Sequence, residues 1–126
     1  MVAYSFKSRF AAPIQAGTKR QTIRADRKRH AKPGEQLQLY TGMRTKQCKL
    51  IGRSTCVSVD LVLLNFADYG VVRINGIVLF SDAAMQEFAR RDGFASWADM
   101  RSFWHENHPG IEQFEGVIIR WSDLHA

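Results

Sequence analysis

The stretch that most limits the fold is Val71-Val72-Arg73-Ile74, Asn75-Gly76, Ile77-Val78-Leu79-Phe80. Asn and Gly both tolerate positive φ, and a two-residue turn between right-twisted antiparallel strands needs that at both central positions. A chain carrying this hairpin must build at least part of an antiparallel sheet. The rest of the sequence supplies further strands. Gln36 to Tyr40 alternates, with Leu37 and Leu39 on one face. Cys48 to about Leu64 is strand-rich, with Gly52 marking a bulge or bend where a sheet curls. Phe114 to Trp121 closes the series, and Val117, Ile118 and Ile119 are too continuously apolar for an edge facing water.

Helices are fewer and clearly punctuated. Ser81 caps one that runs to about Arg91, with Asp82 at its positive end, Ala84, Met85 and Phe88 inward, and Gly93 beyond it. Ser96-x-x-Asp99 opens another, whose apolar stripe is Trp97, Met100, Phe103 and Trp104 and which Pro109-Gly110 ends. Those aromatics at helical spacing read first as core. Strands outnumber helices and no βαβ alternation appears. The expected fold is α+β and mostly β: one domain over residues 1–126, a curled, mainly antiparallel sheet or barrel with two or three short helices.

Chemistry concentrates elsewhere, in Phe6 to Arg24. Phe6, Phe10, Pro13 and Ile14 have helix-like spacing, and Gly17 stands where a helix end favours a left-handed residue. Gln21-Thr22-Ile23-Arg24 reads as a short strand. With Ile23 directed to the core, Thr22 and Arg24 share the opposite, polar face. Lys19 meets Thr22 if the chain turns between them. A cation, a hydroxyl and a fixed guanidinium then lie together. Thr22 supplies a nucleophile if a base takes its proton. Lys19 is that base if burial and the neighbouring Arg20 and Arg24 lower its pKa. Arg24 remains charged and suits a carbonyl or phosphate oxygen. The bland meaning of Gly-x-Lys after a helix is a cap followed by a solvated cation.

A net charge of +6 and a pI near 9.7 bear on partners because the cations are crowded. Arg24, Arg27, Lys28, Arg29 and Lys32 share one segment with His30 and no interleaved aromatic ring. Such a run fits phosphate contacts, hence RNA held with little sequence preference, or else a solvated loop. No apolar run approaches the roughly 20 residues of a membrane span, and Met1 to Phe10 lacks a signal-peptide core. A cytoplasmic, monomeric protein without membrane association is expected. Cys48 and Cys56 match no zinc spacing and read as reduced core or strand residues. His105-x-x-His108 has no third ligand at a convincing spacing, so neither metal nor cofactor is expected.

Gly17-x-Lys19-x-x-Thr22-x-Arg24, preceded by Phe6-x-x-Arg9-Phe10 and Ile14, resembles the signature of ASCH domains, a branch of the PUA-like fold. The lead-in is similar to that of the small N(4)-acetylcytidine amidohydrolases. Lys32-Pro33-Gly34-Glu35 resembles the family's Gly-acid turn, and His108-Pro109-Gly110 with Gln113-Phe114 resembles its C-terminal end. The resemblance implies a PUA-like fold and hydrolysis of an acylated cytidine. It implies Lys19, Thr22 and an acid as catalytic groups, with Arg9, Arg24 and Glu35 toward the substrate. The family's acid is a Glu, and its counterpart here is Asp92, one methylene shorter; Glu35 is the rival carboxylate. The Asn75-Gly76 hairpin has no counterpart in that family and reads as an insertion or extended strand pair. Two function classes stay open: an amidohydrolase acting on a nucleoside, and a non-catalytic RNA-binding module.

Overall fold

The structure, a computed structural model, describes residues 1–125. The chain runs β1 (Val2–Phe6), a 3-10 turn (Ser8–Phe10), α1 (Ala11–Ala16), β2 (Gln21–Arg24), β3 (Gln36–Thr41) and β4 (Lys49–Asn65). It continues through β5 (Val71–Ile74), β6 (Ile77–Val78), α2 (Asp82–Arg91), α3 (Trp97–Asn107) and β7 (Gln113–Trp121). The fold is α+β, a mixed seven-stranded sheet with three helices.

The organising element is β4, at 17 residues long enough to serve different neighbours along its length. Lys49 to Thr55 pairs antiparallel with β3, and Cys56 to Asn65 pairs antiparallel with β7. Its last residues, Val62 to Asn65, also pair with β5. A register shift opposite Leu39 and Tyr40 leaves Ile51 as the extra residue beside Gly52, so the bend expected there is a β-bulge. β5 and β6 form the Asn-Gly hairpin, with Asn75 and Gly76 at φ of 51° and 80°. Its second strand is shorter than the sequence pattern, ending at Val78. β7 lies between β4 and β2, consistent with its unbroken apolar run.

Three expectations are corrected. Val2 to Phe6 is a strand, paired parallel with β3, and Phe6 belongs to it rather than to a helix. The period-2 burial of Val2, Tyr4 and Phe6 carries that assignment. Second, the sheet is neither closed nor strongly curled, because no ladder joins β1 to β2. The Arg24 guanidinium occupies that interval and donates from Nη2 to the Ser5 carbonyl at 2.7 Å, where a barrel would have main-chain bonds. Third, Cys48 is exposed in the loop before β4, whereas Cys56 is buried.

The helices cover the sheet as the caps and stripes predict. Ser81 Oγ accepts from the Ala84 amide and Ser96 Oγ from the Asp99 amide, each at 3.0 Å. Phe66 stacks on Trp97 with centroids 5.5 Å apart and lies 5.3 Å from Trp104. Burial of such rings is the main favourable term holding α3 to the sheet. No helix among the described residues is long and apolar enough to cross a membrane.

Candidate functional site

The chain enters the site through a tight turn. Gly17 caps α1 in the left-handed region at φ 82°, and the amides of Thr18 and Lys19 both donate to the Pro13 carbonyl at 3.0 Å. The Arg20 amide then donates to Arg91 O at 2.9 Å, fixing the start of β2 against the end of α2. This folds Lys19 inward, where it is only 3% exposed. Its stem passes over Gly93. A Cβ at Gly93, where φ is 98°, would stand 2.7 Å from Lys19 Cδ and 3.0 Å from the Phe10 ring.

Asp92 arrives from the other side. Met85, Phe88 and Ala89 form the buried face of α2, and three or four residues further on that face lies Asp92, the C-cap, at 5% exposure. Lys19 Nζ donates to Asp92 O at 2.5 Å and to Gln21 O at 2.8 Å, and sits 4.7 Å from the centroid of Phe10. Gln21 Nε2 donates to Asp92 Oδ1 at 3.2 Å. Thr22 is buried on β2, and its Oγ1 accepts from Arg24 Nε at 2.9 Å.

Burial controls the titration of this cluster. Loss of solvation brings the Lys19 ammonium down to about 8, with Arg24 and Arg9 pushing the same way and Asp92 opposing. Loss of solvation raises Asp92 above the ordinary carboxylate range against the pull of Lys19, Gln21 and Arg24. The two groups thus approach each other in proton affinity, with Nζ bonded to the main-chain carbonyl of Asp92 and the carboxylate bonded to Gln21. Nζ has two carbonyl acceptors and faces the rings of Phe6 and Phe10 at 5.5 and 4.7 Å.

Lys19, Thr22, Arg24 and Asp92 line one cavity of about 320 Å³ between β1, β2 and the ends of α2 and α3. Phe10, Phe94, Phe103, Trp104 and Phe114 supply its aromatic wall, with His108 beside Trp104. Four of the six residues singled out from sequence are therefore brought together. Arg9 stands behind the wall, its guanidinium 5.1–5.4 Å from the rings of Phe10, Phe94 and Phe103 and paired to Asp99 at 3.0 Å. Glu35 is elsewhere. It accepts from Arg29, from the Lys32 amide at 3.0 Å and from the N-terminal amine at 3.4 Å.

The local reading of β2 needs one correction. Thr22 and Arg24 do share a face, but Thr22 is buried and Ile23 is half-buried. Thr22 and Arg24 line the cavity, and so does Ile23. Sequence reasoning missed Gln21, which is 1% exposed, and the aromatic wall as a lining. Gln21, which alternation puts on the same strand face as the apolar Ile23, was the available signal for the first. Among the described residues, no three His, Cys, Asp or Glu side chains gather as a metal site.

The basic segment is a loop from Ala25 to Glu35 held at its centre by Tyr4. The Ala31 amide donates to Tyr4 Oη at 3.2 Å, Tyr4 Oη lies 3.0 Å from His30 Nδ1, and His30 Nε2 lies 2.9 Å from Ala25 O. One tautomer satisfies all three bonds, with the proton on Nε2 and Nδ1 accepting from the phenol. Arg27, Lys28 and Arg29 remain exposed.

Fold and site together define an α+β protein with a buried lysine, a buried aspartate, a threonine and an arginine on one cavity. Comparison with protein-family models, curated proteins and solved structures found no match.

Proposed function

We propose that this chain is a small amidohydrolase of the ASCH type, with a PUA-like fold, that removes the acyl group from N(4)-acetylcytidine or a related acylated cytidine. The observation that carries the reading is the buried Lys19, brought down to about 8, in one cavity with Thr22, Arg24 and Asp92. A solvated cap lysine has neither property. The aromatic wall suits a flat nucleobase, and the residues themselves supply each step.

With the shared proton on Asp92, the Lys19 amine takes the Thr22 hydroxyl proton as Oγ1 attacks the acyl carbonyl carbon. Arg24, already donating to Oγ1, faces the developing oxyanion. Collapse breaks the C–N bond, and Asp92 gives its proton to the leaving N4 nitrogen, releasing cytidine. Water then attacks the acyl–Thr22 ester. One of its protons goes to the Asp92 carboxylate, Thr22 regains its own from Lys19, and the acid leaves. The protein returns to its starting protonation state.

The competing reading is a non-catalytic RNA-binding module of the same fold, favoured by the exposed Arg27, Lys28 and Arg29. It has no use for a buried lysine of lowered proton affinity. Incubating the pure protein with N(4)-acetylcytidine decides between them: cytidine and acetate appear under the hydrolase reading, and intact substrate with salt-dependent RNA binding appears under the other.

A further inference from the structure

Among the described residues, Gln21 is the one that hydrogen-bonds both to the Lys19 amine and to the Asp92 carboxylate. Its main-chain carbonyl accepts from Lys19 Nζ at 2.8 Å, and its side-chain amide donates to Asp92 Oδ1 at 3.2 Å. It is 1% exposed, on a strand whose start is tied to α2 through the Arg20–Arg91 main-chain bond. A buried polar side chain is retained only if its bonds are made.

We infer that Gln21 is a positioning residue that fixes which oxygen of Asp92 carries the exchangeable proton and ties the acid and the base to one strand. In the orientation observed the amide nitrogen faces Oδ1 and donates to it. While that bond is kept, Oδ1 accepts in both charge states of Asp92, and the proton, when present, rides on Oδ2. Among the described residues Oδ2 has no hydrogen-bond partner, so it is the oxygen left for a ligand in the cavity. The charged groups acting on Asp92 are Lys19, from the turn before β2, and Arg24, from β2 itself, and both favour its ionised form. Gln21 acts in the same direction without adding charge. It steadies the carboxylate while leaving the cation count around Lys19 unchanged.

The inference rests on the hydrolase reading for its purpose but not for its test. Nuclear magnetic resonance titration of the Asp92 side-chain carboxyl carbon and of the Lys19 side-chain nitrogen measures both midpoints directly. In Gln21→Leu, the Asp92 midpoint should rise by about one pH unit or more, the size expected when a donor to a charged acceptor is lost. The Lys19 midpoint should fall, because a less ionised Asp92 supports the ammonium less. With N(4)-acetylcytidine the same variant should lose about tenfold or more in kcat with KM little changed, and its pH profile should move with the measured midpoints. An unchanged Asp92 midpoint in a folded Gln21→Leu protein overturns the inference even if the wild type is active. A shifted midpoint with no hydrolysis by the wild type upholds the coupling and removes the hydrolase reading instead. Should Gln21→Leu fail to fold, the wild type alone decides: the Gln21 side-chain amide signals must move with the Asp92 midpoint, and amide signals indifferent to it overturn the inference.

Discussion

Two clusters of charge sit on either side of the β1–β2 opening, and they behave oppositely. In the cavity, Lys19 is moved to about 8 by loss of solvation. In the loop, Glu35 is moved to about 2 by hydrogen bonds from Arg29 and the Lys32 amide. Both shifts are large. The first makes the neutral amine accessible near physiological pH, while the second drives an acid further into the state it already holds. Burial brings a group within reach of proton transfer, and pairing in water takes it away. The sequence presents both sites as cations next to a turn glycine, and burial separates them.

The hardest blow to the contrast comes from removing the base. Lys19→Arg keeps the positive charge but cannot deprotonate, so hydrolysis of N(4)-acetylcytidine should fall about a thousandfold. Near-normal turnover in that variant would place Lys19 among the merely structural cations. Asp92→Asn should cost about a hundredfold in kcat, the scale of a lost general acid, and steady-state kinetics on the folded variant measures it.

Most of this contrast was legible in outline. Gly17-x-Lys19-x-x-Thr22-x-Arg24 located the turn, and the resemblance pointed to Asp92, which follows the buried face that Met85 and Phe88 form on α2. What could not be read was depth. Ile23 is the apolar residue of β2, yet Thr22 is the more buried. Glu35 was the rival carboxylate to Asp92, and its partners, Arg29, the Lys32 amide and the N-terminal amine, hold it in the loop outside the cavity. Openness was hidden for a similar reason. Glycine bends are local, whereas the gap between β1 and β2 depends on a side chain, Arg24, reaching across.

The remaining tests sharpen the comparison by degrees. If turnover needs Lys19 neutral while Asp92 keeps its proton, the active form holds one proton in all, so kcat/KM should follow a bell, falling at low pH as both groups are protonated and at high pH as both lose their protons. Lys19 also links folding to pH with a definite sign. Its folded value of about 8 lies below its ordinary 10.5, so between those limits the unfolded chain binds more protons and stability climbs with pH. Thermal melts of Lys19→Met should lack that climb. Gly93→Ala places a methyl on the Lys19 stem in a left-handed backbone position, and should lower stability by about 1–3 kcal/mol in denaturant titrations. The smallest effect belongs to the loop. Glu35→Gln should leave hydrolysis of the free nucleoside unchanged, and a tenfold loss would bring the loop into the site.

One feature of the topology governs when the protein becomes competent. β2 is bonded along its length to β7, so Thr22 and Arg24 gain their ladder only when Ile119 and Val117 arrive beside them. That closure joins early and late chain and is among the most entropically demanding contacts in the fold. The β5–β6 hairpin and the two capped helices form from neighbours and can precede it. Activity during refolding should therefore lag the recovery of helical signal, making turnover a clock for the last strand to dock.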